Sequence, residues 1–426
     1  MPSLWTFALV LPFLLLSIPF LQVIQYRFFS KRLPIFIDGY SEENLDEVRE
    51  AFAKNFEVGW EREGASLVVY KEGKKVVDLW GGYADAASNR KWNQDTLTVV
   101  FSTTKAAAAI CVAMLVERKK LDFDAPVAKY WPEFAKNGKE AITVQQLISH
   151  QSGLAYFDAV ITEEMALNHT LMRKVIEEEK PKWKPGTAVG YQAFTSGWLI
   201  DQLIRSVEPR GVGQFFREEI AQKYEIDLHI GLPMEEYYRV AKITTPTMGE
   251  RLDEVVDDYR VIRYAKFFLE LMDKSSPISR TIGNPSWLEA IDRCTFHNPE
   301  YLRMEQAASL GVGNARALAK LFDLAFHGGL LSNEMVKRLK EPIIHDFDFI
   351  FQEQIPRGHG LFYFDIEGIH AFGHSGHGCQ QVQYDPVNKL SFAYTSNGLK
   401  MGLAQYCRTL VRLQKAVYKA MKLKEF

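Results

Sequence analysis

STTKAAAAICVAMLVERKK, residues 102–120, decides the architecture of this chain. Ala106, Ile110, Met114 and Leu115 recur at helical spacing, and Arg118, Lys119 and Lys120 follow, as suits the negative end of a helix dipole. The spacing predicts a buried helix over residues 103–119. At its start Ser102 and Lys105 stand three residues apart, a hydroxyl and an amine on one face, one turn from each other. A serine hydroxyl is too weak an acid to attack a carbonyl unaided, and a desolvated lysine beside it can take its proton. The unpaired N–H groups of a helix N-terminus favour negative charge developing there. The same S-x-x-K pattern recurs at residues 88–91, SNRK, but in a polar stretch with no apolar helix behind it. Context singles out Ser102.

Moving outward, residues 65–70 and 75–80 read as two strands around a tight turn. Residues 361–364, 369–372, 380–384 and 390–394 return to short β-rich runs, with a turn at Asp385 and Pro386. Between them, about 122–340 alternates helical stretches with Pro- and Gly-bearing loops and reads as a helical lobe. Strands at both ends of the chain predict an antiparallel sheet interrupted by that lobe. In the last segment, 401–426, Leu403, Tyr406, Leu410, Leu413 and Val417 share one helical face and should pack on the sheet. Residues 38–47 read as a polar connection.

The chain has 426 residues, 47% of them hydrophobic, and a formal charge of -2. That length accommodates two or three lobes and excludes a small stapled scaffold. The balanced charge gives no basic field for nucleic acid. Four scattered cysteines show no zinc-ribbon spacing. Leu4 to Ile24 is uncharged and long enough to cross a bilayer, although Pro12 and Pro19 interrupt it. Residues 1–30 are therefore expected to be a membrane anchor, or alternatively a signal sequence cleaved from a secreted protein. Arg27, Lys31 and Arg32 favour a cytosolic body, whereas the sequon at Asn168 matters only in the lumen. The two signals conflict.

Two further stretches carry chemistry. PGTAVGYQAFTSG, residues 185–197, places Tyr191 where a turn enters a helix, and a phenol near a lysine can relay a proton if the positive charge lowers its pKa. FGHSGHG, residues 372–378, sits among β-like runs, its glycines letting a ligand approach strand backbone. His370, His374 and His377 also raise a zinc hydrolase as a rival, against which the alternation of a strand argues, since it turns His374 and His377 to opposite faces.

Together and in order, these stretches resemble the serine β-lactamase and penicillin-binding-protein family, in its class C, D-aminopeptidase and esterase-like branch, which includes animal β-lactamase-like proteins. The resemblance covers roughly residues 60–400. It includes LDFDAPVAKY at 121–130, ITVQQLISHQSGL at 142–154 and GNARALAK at 313–320. It implies an α/β (α+β) fold: an antiparallel sheet flanked by helices, with an inserted all-helical lobe, the catalytic body spanning 31–400. It implies a serine hydrolase acting through an acyl-enzyme on a small ester or peptide substrate, without cofactor or metal. Ser102 would be the nucleophile, Lys105 and Tyr191 its partners, and the backbone N–H groups of Ser102 and His377 the oxyanion hole. His374, Ser375 and Gly376 would line the substrate, in place of the family's K-T-G. Two departures bear on substrate: Ala193 replaces the asparagine of Y-x-N, and His374 replaces the lysine, so esters or peptides are expected over β-lactams. A catalytically silent scaffold on the same fold is the alternative.

Overall fold

A computed structural model describes residues 18–29 and 33–423, apart from 292 and 367. Its centre is an antiparallel sheet built from β1 (Ile37–Ser41), β2 (Gly64–Lys71), β3 (Lys74–Asp85), β4 (Leu361–Ile366), β5 (Ile369–Gly376), β6 (Gln380–Asp385) and β7 (Leu390–Ser396). The spatial order is β1-β3-β2-β7-β6-β5-β4. The ends of the chain meet where β2 pairs with β7, Leu67 opposite Tyr394 and Val69 opposite Phe392. The expected sheet formed from both ends is thus present.

Because strand side chains alternate, this one sheet serves two cores. Leu67, Val69, Val77, Leu79, Phe392 and Tyr394 face one side. There they pack against α1 (Asp46–Glu57), through Val48, Phe52 and Phe56, and against the C-terminal helix Arg408–Ala420, through Leu410, Leu413 and Val417. Val68, Phe372, Val382, Tyr384 and Ala393 face the larger core. That core contains α2 (Thr104–Glu117), the helix expected over 103–119. Every residue of α2 from Thr104 to Leu115 is buried. A helix apolar on all sides has to run through a core, which is why its residues are so often alanine.

Several expectations need correction. Part of the polar connection at 38–47 is strand β1, which adds to the edge of the sheet with Ile37 opposite Gly81. Its alternation is masked by Gly39, which sits at φ +96° where a Cβ would lie 2.0 Å from the Asp78 carbonyl oxygen. The C-terminal helix starts at Arg408, so Leu403 and Tyr406 precede it. The helix Ala315–Phe326, expected within the helical lobe, packs on β2, β6 and β7. Cys379 and Cys407 form a disulfide tying the β5–β6 turn to the start of the C-terminal helix. The expected membrane segment, residues 4–24, lies mostly outside the described residues. Among those described, no helix is long and apolar enough to cross a membrane.

Candidate active site

Ser102 lies in a tight turn, Phe101–Thr103, that leads directly into α2. The turn is clamped from a distant segment: Val100 N–H donates to the Gly311 carbonyl at 2.9 Å, and Thr104 Oγ1 accepts from Gly311 N–H at 3.0 Å. Thr104 Oγ1 in turn donates to the Phe101 carbonyl at 2.6 Å. Phe101 is held at φ +46°, a strained conformation for a bulky residue. From Phe101 to Leu115, Ser102 alone is partly exposed. The turn therefore lifts one hydroxyl out of an otherwise sealed helix.

Lys105 is 3% exposed. Its Nζ lies 3.3 Å from Ser102 Oγ and 2.9 Å from each of two carbonyl oxygens, of Ala193 and Ala308. Burial, with no carboxylate alongside among the described residues, pushes its pKa well below the usual lysine range. A neutral amine fits this surround, with its two N–H groups donated to the carbonyls and its lone pair toward the serine hydroxyl. Gln306 orients one of those carbonyls: its Oε1 accepts from Ala308 and Ser309 N–H, and its Nε2 donates to the Phe194 carbonyl at 2.7 Å.

Tyr191 completes the cluster. It is 4% exposed, its hydroxyl bonds to Ser102, and Lys105 Nζ lies 4.8 Å from its ring centre. Burial raises its pKa, the reverse of the shift the sequence reading required for a relay by the phenolate. Desolvation of the anion outweighs the hydrogen bond with Ser102 and the field of Arg357, so Tyr191 remains a phenol. Its backbone N–H donates to Asp348 Oδ1 at 3.2 Å, and the same oxygen accepts from Ile350 and Phe351 N–H. The other carboxylate oxygen lies 2.7 Å from Arg357, and both partners are buried. Phe351 packs on Tyr191 with ring centres 4.2 Å apart, and His150 meets it at 4.8 Å.

Neither Asp348 nor Arg357 was singled out from sequence, because a buried ion pair between residues in two-residue strands leaves no periodic signal. Arg357→Met should lower stability by about 3 kcal/mol, since it strands a buried carboxylate. Urea unfolding measures this. An unchanged midpoint would mean that the backbone N–H groups alone compensate Asp348.

β5 runs alongside the serine turn. A Cβ on Gly376 would lie 2.5 Å from the Val100 carbonyl oxygen and 2.8 Å from Thr103 Oγ1, so only glycine lets the strand approach so closely. Ser375 Oγ donates to Gln381 at 2.7 Å. The exposed His377 follows the strand, its ring 5.4 Å from that of Phe101. His374 is buried, stacked on Phe362 at 4.4 Å, and burial lowers its pKa to about 3. It is a neutral imidazole whose Nδ1 lies 2.6 Å from the Ser375 carbonyl oxygen. Its Nε2 finds no hydrogen-bond partner among the described residues. The three histidines do not converge, and the described residues contain no cluster of three or more His, Cys, Asp or Glu suited to a metal.

Comparison with known proteins agrees with this architecture. The family model described as Beta-lactamase matches residues 52–416. The esterase/beta-lactamase LipL of Mycobacterium tuberculosis is 32% identical over 351 residues, 79% of this chain and 77% of that protein. A penicillin-binding protein homologue from Caulobacter crescentus superposes with a TM-score of 0.77 at 31% identity, covering 90% of this chain and 100% of its own. A family VIII carboxylesterase superposes with a TM-score of 0.78 at 28% identity and the same coverage. Matched along nearly all of its folded body, the chain belongs to the beta-lactamase family and is one of its serine hydrolases.

Proposed function

We propose that Ser102 is the nucleophile of an acyl-transfer cycle and that neutral Lys105 is its base. The observation that carries this is the amine itself, buried, held by two carbonyls and facing the serine hydroxyl. Ser102 Oγ attacks the substrate carbonyl carbon as its proton passes to Lys105 Nζ. The oxyanion is received by the backbone N–H groups of Ser102 and His377. Collapse breaks the bond to the leaving alcohol or amine, which takes the proton from Lys105 by way of the Tyr191 hydroxyl. Water then repeats the sequence, releasing the acid and restoring Ser102.

His374, Ser375 and Gly376 form the substrate's strand-side wall in this reading. A neutral His374 offers no cation to a substrate carboxylate, and Ala193 offers no side-chain amide, so uncharged acyl esters are favoured over β-lactams. Labelling with a small fluorophosphonate, mapped to peptides, tests the assignment. The label should fall on Ser102 and vanish in Ser102→Ala; folded protein that takes no label, from this or a smaller acylating ester, would overturn it.

The catalytic body is inferred to be exported. Disulfides persist in oxidising compartments, and Asn168 is exposed at the start of a helix, open to a glycan. Arg27, one of the cations that favoured a cytosolic body, is bound to Asp253 and Asp257 and so belongs to the fold. Protein from its natural source should gain mobility on enzymatic deglycosylation and lose that shift in Asn168→Gln; an unglycosylated natural protein would count against export.

A further inference from the structure

An apolar surface remains that catalysis does not use. It is formed by α3 (Met248–Asp257) and α4 (Arg263–Met272). Along α4 the outward positions are Ile262, Ala265, Leu269 and Met272, a stripe at helical spacing. Leu269 is 67% exposed and Met272 79%. Val256 at 62% and Tyr259 at 79% continue the stripe toward α3. The opposite side of α4 is apolar too, with Phe267 and Leu271 packed on the core. A helix apolar on both sides at a protein surface has an unburied face of its own.

What covers that face is indicated by the chain's own N-terminus. Residues 4–17 are uncharged and strongly apolar in sequence. They lead into residues 18–29, which lie against α3. A Cβ on Gly249 would lie 3.0 Å from the Gln22 carbonyl oxygen, and Arg27 binds Asp253 and Asp257. Phe28 and Phe29, at the end of this segment, are 76% and 77% exposed. Arg260 and Lys266, with side chains 55% and 72% exposed, also lie on α4 or just before it, each beside a neighbouring acid, Asp258 at 2.7 Å and Glu270 at 3.9 Å.

α4 is also linked to the candidate site through one intervening segment. Arg263 pairs with Glu353 at 3.0 Å and Glu270 accepts from Gln352, so α4 grips the segment whose Phe351 packs on Tyr191. We propose that α3, α4 and residues 18–29 dock into the interface of a lipid bilayer, and that the acyl substrate is an amphiphile drawn from it. The second half rests on the hydrolase reading above.

The full chain is reconstituted with mixed phosphatidylcholine and phosphatidylserine vesicles. Met272→Cys, in a Cys294→Ser background, carries an environment-sensitive fluorophore. Quenchers attached to lipid acyl chains should reach this label. They should miss one at Val387→Cys, in the β6–β7 turn at the other end of the strands. In parallel, Leu269→Glu/Met272→Glu should keep turnover of a soluble short-chain ester within about twofold, while turnover of a long-chain ester embedded in vesicles falls at least about tenfold. An unquenched Met272 label, or equal quenching at Val387, overturns the docking surface. A stable dimer that shields Met272 would do the same, giving the face to a second copy. Equal loss on both esters, or on neither, overturns the amphiphile. Quenching in a protein that turns over no ester leaves the surface standing and removes the hydrolase reading, so the two fail separately.

Discussion

Ser102→Ala should lower kcat on an activated ester by about a millionfold, to the rate that binding and oxyanion stabilisation alone sustain. That corresponds to about 8 kcal/mol of transition-state stabilisation. Stability should hardly change, with Tm moving no more than about 3 °C, because Ser102 is partly exposed and its hydroxyl sits beside the site rather than within the core. The pairing of these two results is what identifies a nucleophile. A buried structural serine would show the reverse, a loss of stability with activity falling in proportion to folded protein. Retention of even a hundredth of wild-type turnover, after exclusion of contaminating esterase, would remove Ser102 from the mechanism.

Lys105→Met should cost about 10⁴-fold in kcat/KM with the fold retained, the upper range for loss of a positioned base. The pH profile separates a base from a mere packing residue. With Lys105 as the proposed base, kcat/KM should climb as pH rises through the lowered pKa of Lys105 and level off well below the pH at which an ordinary lysine titrates. His374, with its pKa near 3, adds no step in the neutral range, and Tyr191, raised by burial, adds none there either. The residual activity of Lys105→Met should lack the rise.

Stability carries the same signature. A depressed native pKa means that the unfolded chain binds one more proton than the native one between the folded and unfolded values. The contribution of Lys105 to stability therefore increases with pH across that window. Urea unfolding of Lys105→Met at several pH values should lose this increase. A variant with the wild-type profile in both measurements would show that the base lies elsewhere.

Much of this site stood in the amino-acid order. The S-x-x-K spacing put hydroxyl and amine on one face of one helical turn, which is what allows the 3.3 Å approach of Lys105 Nζ to Ser102 Oγ. The hairpin at 65–80 and the β-rich runs at 361–394 were legible from their β-branched and aromatic residues and the turns that bound them, not from alternation, since strands buried on both faces lose it. For Tyr191, burial raises the pKa where the sequence pointed to a lowered one. Its expected pKa shift assumed a charged lysine nearby, and the charge of Lys105 depends on how completely the surrounding lobe excludes water.

What sequence alone determined about this protein is thus local and periodic: the buried alanine-rich helix, the strands at both ends, and a serine hydroxyl placed one turn from a lysine amine. Tertiary structure decided the rest. The carbonyls that hold Lys105 belong to Ala193 and Ala308, far along the chain, and every residue type has a carbonyl, so no motif announces them. The same holds for the Asp348–Arg357 pair behind Tyr191 and the close approach of Gly376 to Val100. Reactivity here is set by desolvation, and desolvation is a property of packing among segments distant in sequence, not of any one of them.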